Sequence, residues 1–66
     1  MFGICNLAIV PVRAEASDRS EQVSQLLFGE YFKIIEMTAK WVQVEIAYDG
    51  YIGWIDSKQY QATHMA

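Results

Sequence analysis

Apolar stretches alternate with polar ones at intervals of roughly ten residues along this chain, the spacing of short strands joined by turns. Ile4 to Arg13 is apolar and β-branched, and Pro11 inside it excludes helix; with no N–H to donate, Pro11 predicts an edge or a bulge. Ala14 to Gln22, AEASDRSEQ, is small, polar and of mixed charge, which predicts a long excursion between strands. Val23 to Phe28 turns apolar again, Gly29-Glu30 predicts a turn, and YFKIIEMT from Tyr31 predicts the next strand. A tight connection over Thr38 to Lys40 leads into WVQVEIA, the cleanest period-two segment, with Val42, Val44 and Ile46 on one face and Trp41, Gln43 and Glu45 on the other. Asp49-Gly50 between WVQVEIAY and YIGWI predicts a two-residue type I′ hairpin with positive φ at both residues.

These segments predict an all-β fold, a small barrel of about five short antiparallel strands with a polar loop after the first. Closure removes the edges that an open sheet this apolar would expose. Sixty-six residues make one domain, expected over 1–62 with a tail at 63–66. A chain this short buries only about 60% of its unfolded surface, so its core must be compact and rich in large side chains. Hydrophobic residues make up 53% and aromatics 14%, too apolar for disorder. A net charge of −3 with five scattered Lys and Arg leaves no basic stripe for phosphates, so nucleic acid is not an expected partner. No stretch approaches the roughly 20 apolar residues of a membrane span, so no membrane insertion is expected. The start MFGICN lacks the basic and apolar regions of a signal peptide; because the chain opens almost directly on a strand, we expect a leader to have preceded it.

Taken together, VPVRAEASDRSEQVSQLLFGEYFKIIE, WVQVEI and DGYIGWIDSKQY resemble the bacterial SH3-like domains that precede NlpC-type cysteine peptidases acting on cell-wall peptides. The marks are Val12-Arg13 entering the polar loop, Leu26-Leu27 with Gly29-Glu30 closing the next segment, Trp41 opening a strand, and Gly53-Trp54 after the Asp-Gly turn. The resemblance implies a non-catalytic module that helps to form the substrate site and docks on a catalytic domain of the same parent protein. It further implies a cell-wall peptide as ligand and the cell envelope or periplasm as the parent's location. The alternative is a stand-alone SH3-like module that binds a protein or peptide.

Chemistry within the chain is sparse. A thiol nucleophile needs an imidazole within reach, and the single Cys5 and single His64 lie near opposite ends of the sequence. Cys5 is expected to be structural, the chain not to be an enzyme, and no metal or other cofactor is expected. Glu15, at the root of the polar loop, pairs in this reading with Tyr51 to take a peptide's free ammonium group, a carboxylate and an aromatic hydroxyl suiting that charge. Trp41 is expected to point outward or cover an end of the barrel, and Trp54 to pack over the barrel and close the core; both are ligand-binding candidates. Arg13 is expected to anchor the loop by pairing with Glu15 or Asp18. A eukaryotic-type SH3 groove for Pro-rich peptides would use Glu15, Asp18 and Glu21 as acids and Tyr48, Tyr51, Trp54 and Tyr60 as walls. Against it stand Asp56 where that family has Pro, one extra residue before Tyr60, and the missing ALYDY motif.

Overall fold

Strands form where one face of the chain can be buried, and the inward set here is small, branched and continuous. The computed structural model describes residues 2–63, with strands β1 Phe2–Ile4, β2 Ile9–Arg13, β3 Gln22–Leu27, β4 Tyr31–Met37, β5 Trp41–Ile46, β6 Ile52–Asp56 and β7 Gln61–Thr63. They make one sheet in the order β3-β2-β6-β5-β4-β1-β7, every recorded pair antiparallel. This is an all-β, SH3-like fold. The sheet curls round one core of Cys5, Val10, Val12, Leu26, Phe32, Ile34, Val42, Val44, Ile46 and Ile55, with Val23 and Tyr60 packed against it. In β5 the predicted alternation holds: Val42, Val44 and Ile46 are buried, and Trp41, Gln43 and Glu45 are half-buried on the outer face.

Two details depart from the sequence expectation. The described sheet has seven strands and two free edges, β3 and β7, rather than about five in a closed ring. Part of the difference is that the Ile4–Arg13 segment breaks at Cys5. There the Cys5 N–H donates to the Glu30 carbonyl at 2.9 Å and the Gly29 N–H donates to the Cys5 carbonyl at 2.8 Å, which fastens the chain to the turn after β3 and redirects it into β2. The second is the hairpin between β5 and β6. Gly50 has φ +72° and, among the described residues, no non-glycine residue has positive φ, so the two-residue type I′ turn is replaced by a longer loop. The Gly50 N–H donates to the Ile46 carbonyl at 2.8 Å and the Ile46 N–H to the Tyr51 carbonyl at 2.9 Å. Asp49 serves through its side chain, Oδ1 accepting the Tyr51 N–H at 3.0 Å, instead of by adopting positive φ. Pro11 accords with the expected edge or bulge: it sits opposite Gln25 within β2, one residue ahead of the register shift at Val12/Arg13. The β2–β6 pairing is confined to Arg13↔Trp54, so Pro11 has no β6 neighbour to which an N–H is owed.

Two predicted turns are present as read. In the Leu27–Glu30 turn the Glu30 N–H donates to the Leu27 carbonyl at 3.0 Å, and Gly29 has φ +87°, the value that a type II turn demands at its third residue. Thr38 closes the β4–β5 connection: its N–H donates to the Trp41 carbonyl at 2.8 Å and its Oγ1 accepts the Trp41 N–H at 3.0 Å.

Gly53 is where β2 and β6 meet. A Cβ there would lie 2.5 Å from Val12 Cγ1 and 2.9 Å from the Arg13 carbonyl oxygen, so the strands cross only because the side chain is absent. Gly53→Ala is expected to cost about 1–3 kcal/mol through overpacking against backbone that cannot yield, measured by urea denaturation. Gly29→Ala meets nothing within 4 Å and should lose about 1–2 kcal/mol from its positive φ alone. Unchanged stability in Gly53→Ala would show that β2 does not approach β6 this closely.

Candidate functional site

The polar excursion Ala14–Glu21 is an ordered loop. The Ala14 N–H donates to the Glu21 carbonyl at 2.9 Å, the Glu15 N–H to Ser20 Oγ at 2.8 Å, and the Ser17 N–H to the Glu15 carbonyl at 2.8 Å. Arg13 does not pair with Glu15 or Asp18; its guanidinium donates to the Ser20 carbonyl at 3.0 Å, anchoring the loop through backbone instead of charge. The backbone of Glu15 is thereby fixed while its side chain is exposed.

Antiparallel pairing at Arg13↔Trp54 sends the chain leaving β2 and the chain entering β6 to the same end of the barrel. Glu15 lies two residues beyond Arg13 and Tyr51 three residues before Trp54, so topology brings both candidates to that end. Tyr51 is 44% exposed, leaving its ring open to a partner. The two tryptophans share the outer face: register pairs Gln43 with Trp54 and Trp41 with Asp56, which makes the indoles diagonal neighbours. Both are half-buried. Trp54 therefore does not close the core as expected, because the inward positions of β6 are Gly53 and Ile55. Of the other aromatics, Tyr60 is half-buried and packs edge-on to Phe32, with centroids 5.6 Å apart and planes at 73°. Tyr48 is 89% exposed in the β5–β6 loop, away from the core.

Two clefts stand out on the surface of the described residues. One, of about 260 Å³, is lined by Asp18, Lys40, Trp41, Asp56, Ser57 and Lys58. The other, of about 320 Å³, is shallower and lies between Tyr31 and Tyr48, over Gly29, Glu30 and Ala47. Of the ligand-binding candidates Glu15, Tyr51, Trp41 and Trp54, only Trp41 lines either cleft, and Asp18 and Tyr48, named for a polyproline groove, line one each. The lysines and Ser57 were not anticipated, since they come from segments distant in sequence and form no motif.

Residues 12–59 match the family described as the bacterial dipeptidyl-peptidase SH3 domain, well over half of the 66-residue chain. The chain belongs to this family. No curated protein and no solved structure gives a significant match. As a bacterial dipeptidyl-peptidase SH3 domain, the chain is a peptidase-associated, non-catalytic module. The match begins just before the polar loop and ends just before Tyr60, so it spans Glu15, Trp41, Tyr51 and Trp54 alike.

Cys5 is 1% exposed, with its thiol directed at the Leu7 carbonyl at 3.2 Å and the Leu26 carbonyl at 3.9 Å. It acts as a core residue; His64 lies outside the described residues. In the folded domain Cys5 should resist an aromatic disulfide reagent and react promptly once urea unfolds the chain. Prompt reaction in native buffer would mean that β1 and the turn after β3 open readily.

Proposed function

We propose that this domain is the SH3-like module of an NlpC-type cell-wall cysteine peptidase, where it forms one wall of the substrate pocket and docks on the catalytic domain. Membership in a peptidase-associated SH3 family is the observation that carries this reading, and the arrangement of Glu15 and Tyr51 supports it. Glu15 supplies a carboxylate on a fixed backbone and Tyr51 an aromatic ring and hydroxyl at the same end of the barrel. Together they take the free ammonium group of a peptide, while Trp41 and Trp54 give the outer face its apolar area. The parent enzyme works in the cell envelope or periplasm, where such peptides occur.

Docking has its own support. Ile9 and Leu27 are directly opposed across β2 and β3, and are 52% and 49% exposed. With Leu7 at 43% and Phe28 at 73% they form an apolar strip beside the free edge of β3. Tyr31, beyond the turn, is 43% exposed. Such a strip suits burial against a second domain. A stand-alone peptide-binding module is the second reading, and the strip is the observation that counts against it.

In the parent enzyme, Glu15→Gln keeps the shape and removes the charge. It should lower kcat/KM about ten- to hundredfold for substrates with a free amino terminus, the loss of one charge-assisted hydrogen bond in a shielded pocket. N-acylated substrates should be unaffected. Equal kcat/KM for wild type and variant on both substrate types would sink the ammonium-binding role of Glu15.

A further inference from the structure

The cleft at the far end of β6 is built from three segments, two of which a backbone bond joins. Asp18 comes from the polar loop, Lys40 and Trp41 from the β4–β5 connection, and Asp56, Ser57 and Lys58 from the turn after β6. The Ser57 N–H donates to the Lys40 carbonyl at 2.9 Å, which sets Lys40 and Lys58 on one wall. Asp56 is partly occupied within that wall, its Oδ1 accepting the Lys58 N–H at 2.8 Å. Trp41 pairs in register with Asp56 and contributes its indole to the lining, and Asp18 is the acid contributed by the loop.

This lining selects among ligands. Two exposed lysines on one wall attract an anion, while two acids nearby repel a polyanion, so a single carboxylate is the best-matched charge. The indole suits an apolar group carried next to it. A volume of about 260 Å³ falls just below the range of pockets that enclose whole drug-sized ligands, and fits the end of a longer molecule.

Its position identifies the molecule. Tyr51 adjoins the start of β6 and the cleft lies at its end, five residues of strand apart, or roughly 17 Å at about 3.3 Å per residue. We propose that the cleft is a second recognition site, which takes the carboxyl terminus of a short peptide, with Lys40 and Lys58 on the carboxylate and Trp41 under the last side chain. A peptide of about five extended residues matches the distance between Tyr51 and a carboxylate site here, while Glu15 stands closer, three residues from Asp18 of the lining. The inference rests on the proposed function for the peptide's other end, and on the cleft itself for this one.

The test is a titration of the 66-residue chain followed by amide and indole N–H chemical shifts, with pentaalanine, its C-terminal amide, its N-acetyl form and acetate as probes. Pentaalanine should move the Trp41 indole and the amides of Lys40, Ser57 and Lys58, and amidation should weaken binding about tenfold, as for a lost charge-assisted hydrogen bond. Lys40→Met and Lys58→Met, both at exposed residues, should each weaken it about two- to fivefold while leaving the remaining spectrum intact. Equal affinity of acid and amide, shifts confined to other surfaces, or no shifts at all would overturn the proposal. So would acetate binding as tightly as pentaalanine, which would make the cleft a simple anion site. N-acetylation should change affinity little in the isolated chain, where Glu15 is exposed; amidation judges the cleft here and Glu15→Gln in the parent enzyme judges the ammonium role, so the two readings fail separately.

Discussion

Phe32 is the side chain on which the rest of the barrel is assembled. It is fully buried in β4, opposite Gly3 of β1 and Ile46 of β5, and the Tyr60 ring meets it edge-on. A Cβ at Gly3 would lie 2.5 Å from the Phe32 ring and 2.9 Å from Tyr60, so β1 can run across the ring only as glycine. One aromatic thus joins the first strand, the middle of the sheet and the residue that leads into β7. Large-to-small changes at buried aromatics cost about 3–5 kcal/mol. For a domain whose whole stability is on the order of 5–15 kcal/mol, that single packing arrangement is a large share of what holds the termini in place.

Where a single face of a strand is buried, the sequence was readable. WVQVEI shows its period because Val42, Val44 and Ile46 have no alternative to the core. The break at Cys5 was not readable. Cys5 to Ala8 is apolar except for Asn6, and what ends β1 is a pair of backbone bonds to the turn near Gly29, a contact over more than twenty positions that the local sequence does not specify. Asp49-Gly50 was read correctly as a turn and wrongly in type, since an Asp that can accept the Tyr51 N–H through its carboxylate has no need of positive φ. Trp54 was assigned inward because large aromatics dominate small cores, but strand parity was already set by Ile55 and Gly53 beside it.

The candidate site divides along the same line. Glu15 and Tyr51 were found through resemblance, and the Arg13↔Trp54 pairing supplies the physical reason that residues 36 positions apart come to one end of the barrel. The cleft around Trp41 was invisible apart from Trp41 itself. Its walls are assembled by the Ser57–Lys40 bond and by the loop bearing Asp18, and each segment taken alone looks like an ordinary polar turn.

The two ends of β6 differ in how much they can do without help. The cleft has walls of its own, so a charge seated there is partly shielded. Glu15 is exposed, and an exposed carboxylate facing an ammonium group gains only about 0–1 kcal/mol, too little to distinguish one peptide from another. The same pair screened from water gains several times more. Loop order removes part of the entropic cost, because the bonds to Ser17 and Ser20, with the adjacent Ala14–Glu21 bond, hold the Glu15 backbone before any ligand arrives. Shielding is what the module lacks, and a second surface laid over that end of the barrel would provide it. An ammonium-reading role for Glu15 therefore requires a partner domain on physical grounds, and this is why the module's place beside a peptidase and the choice of its acidic residue belong to one argument.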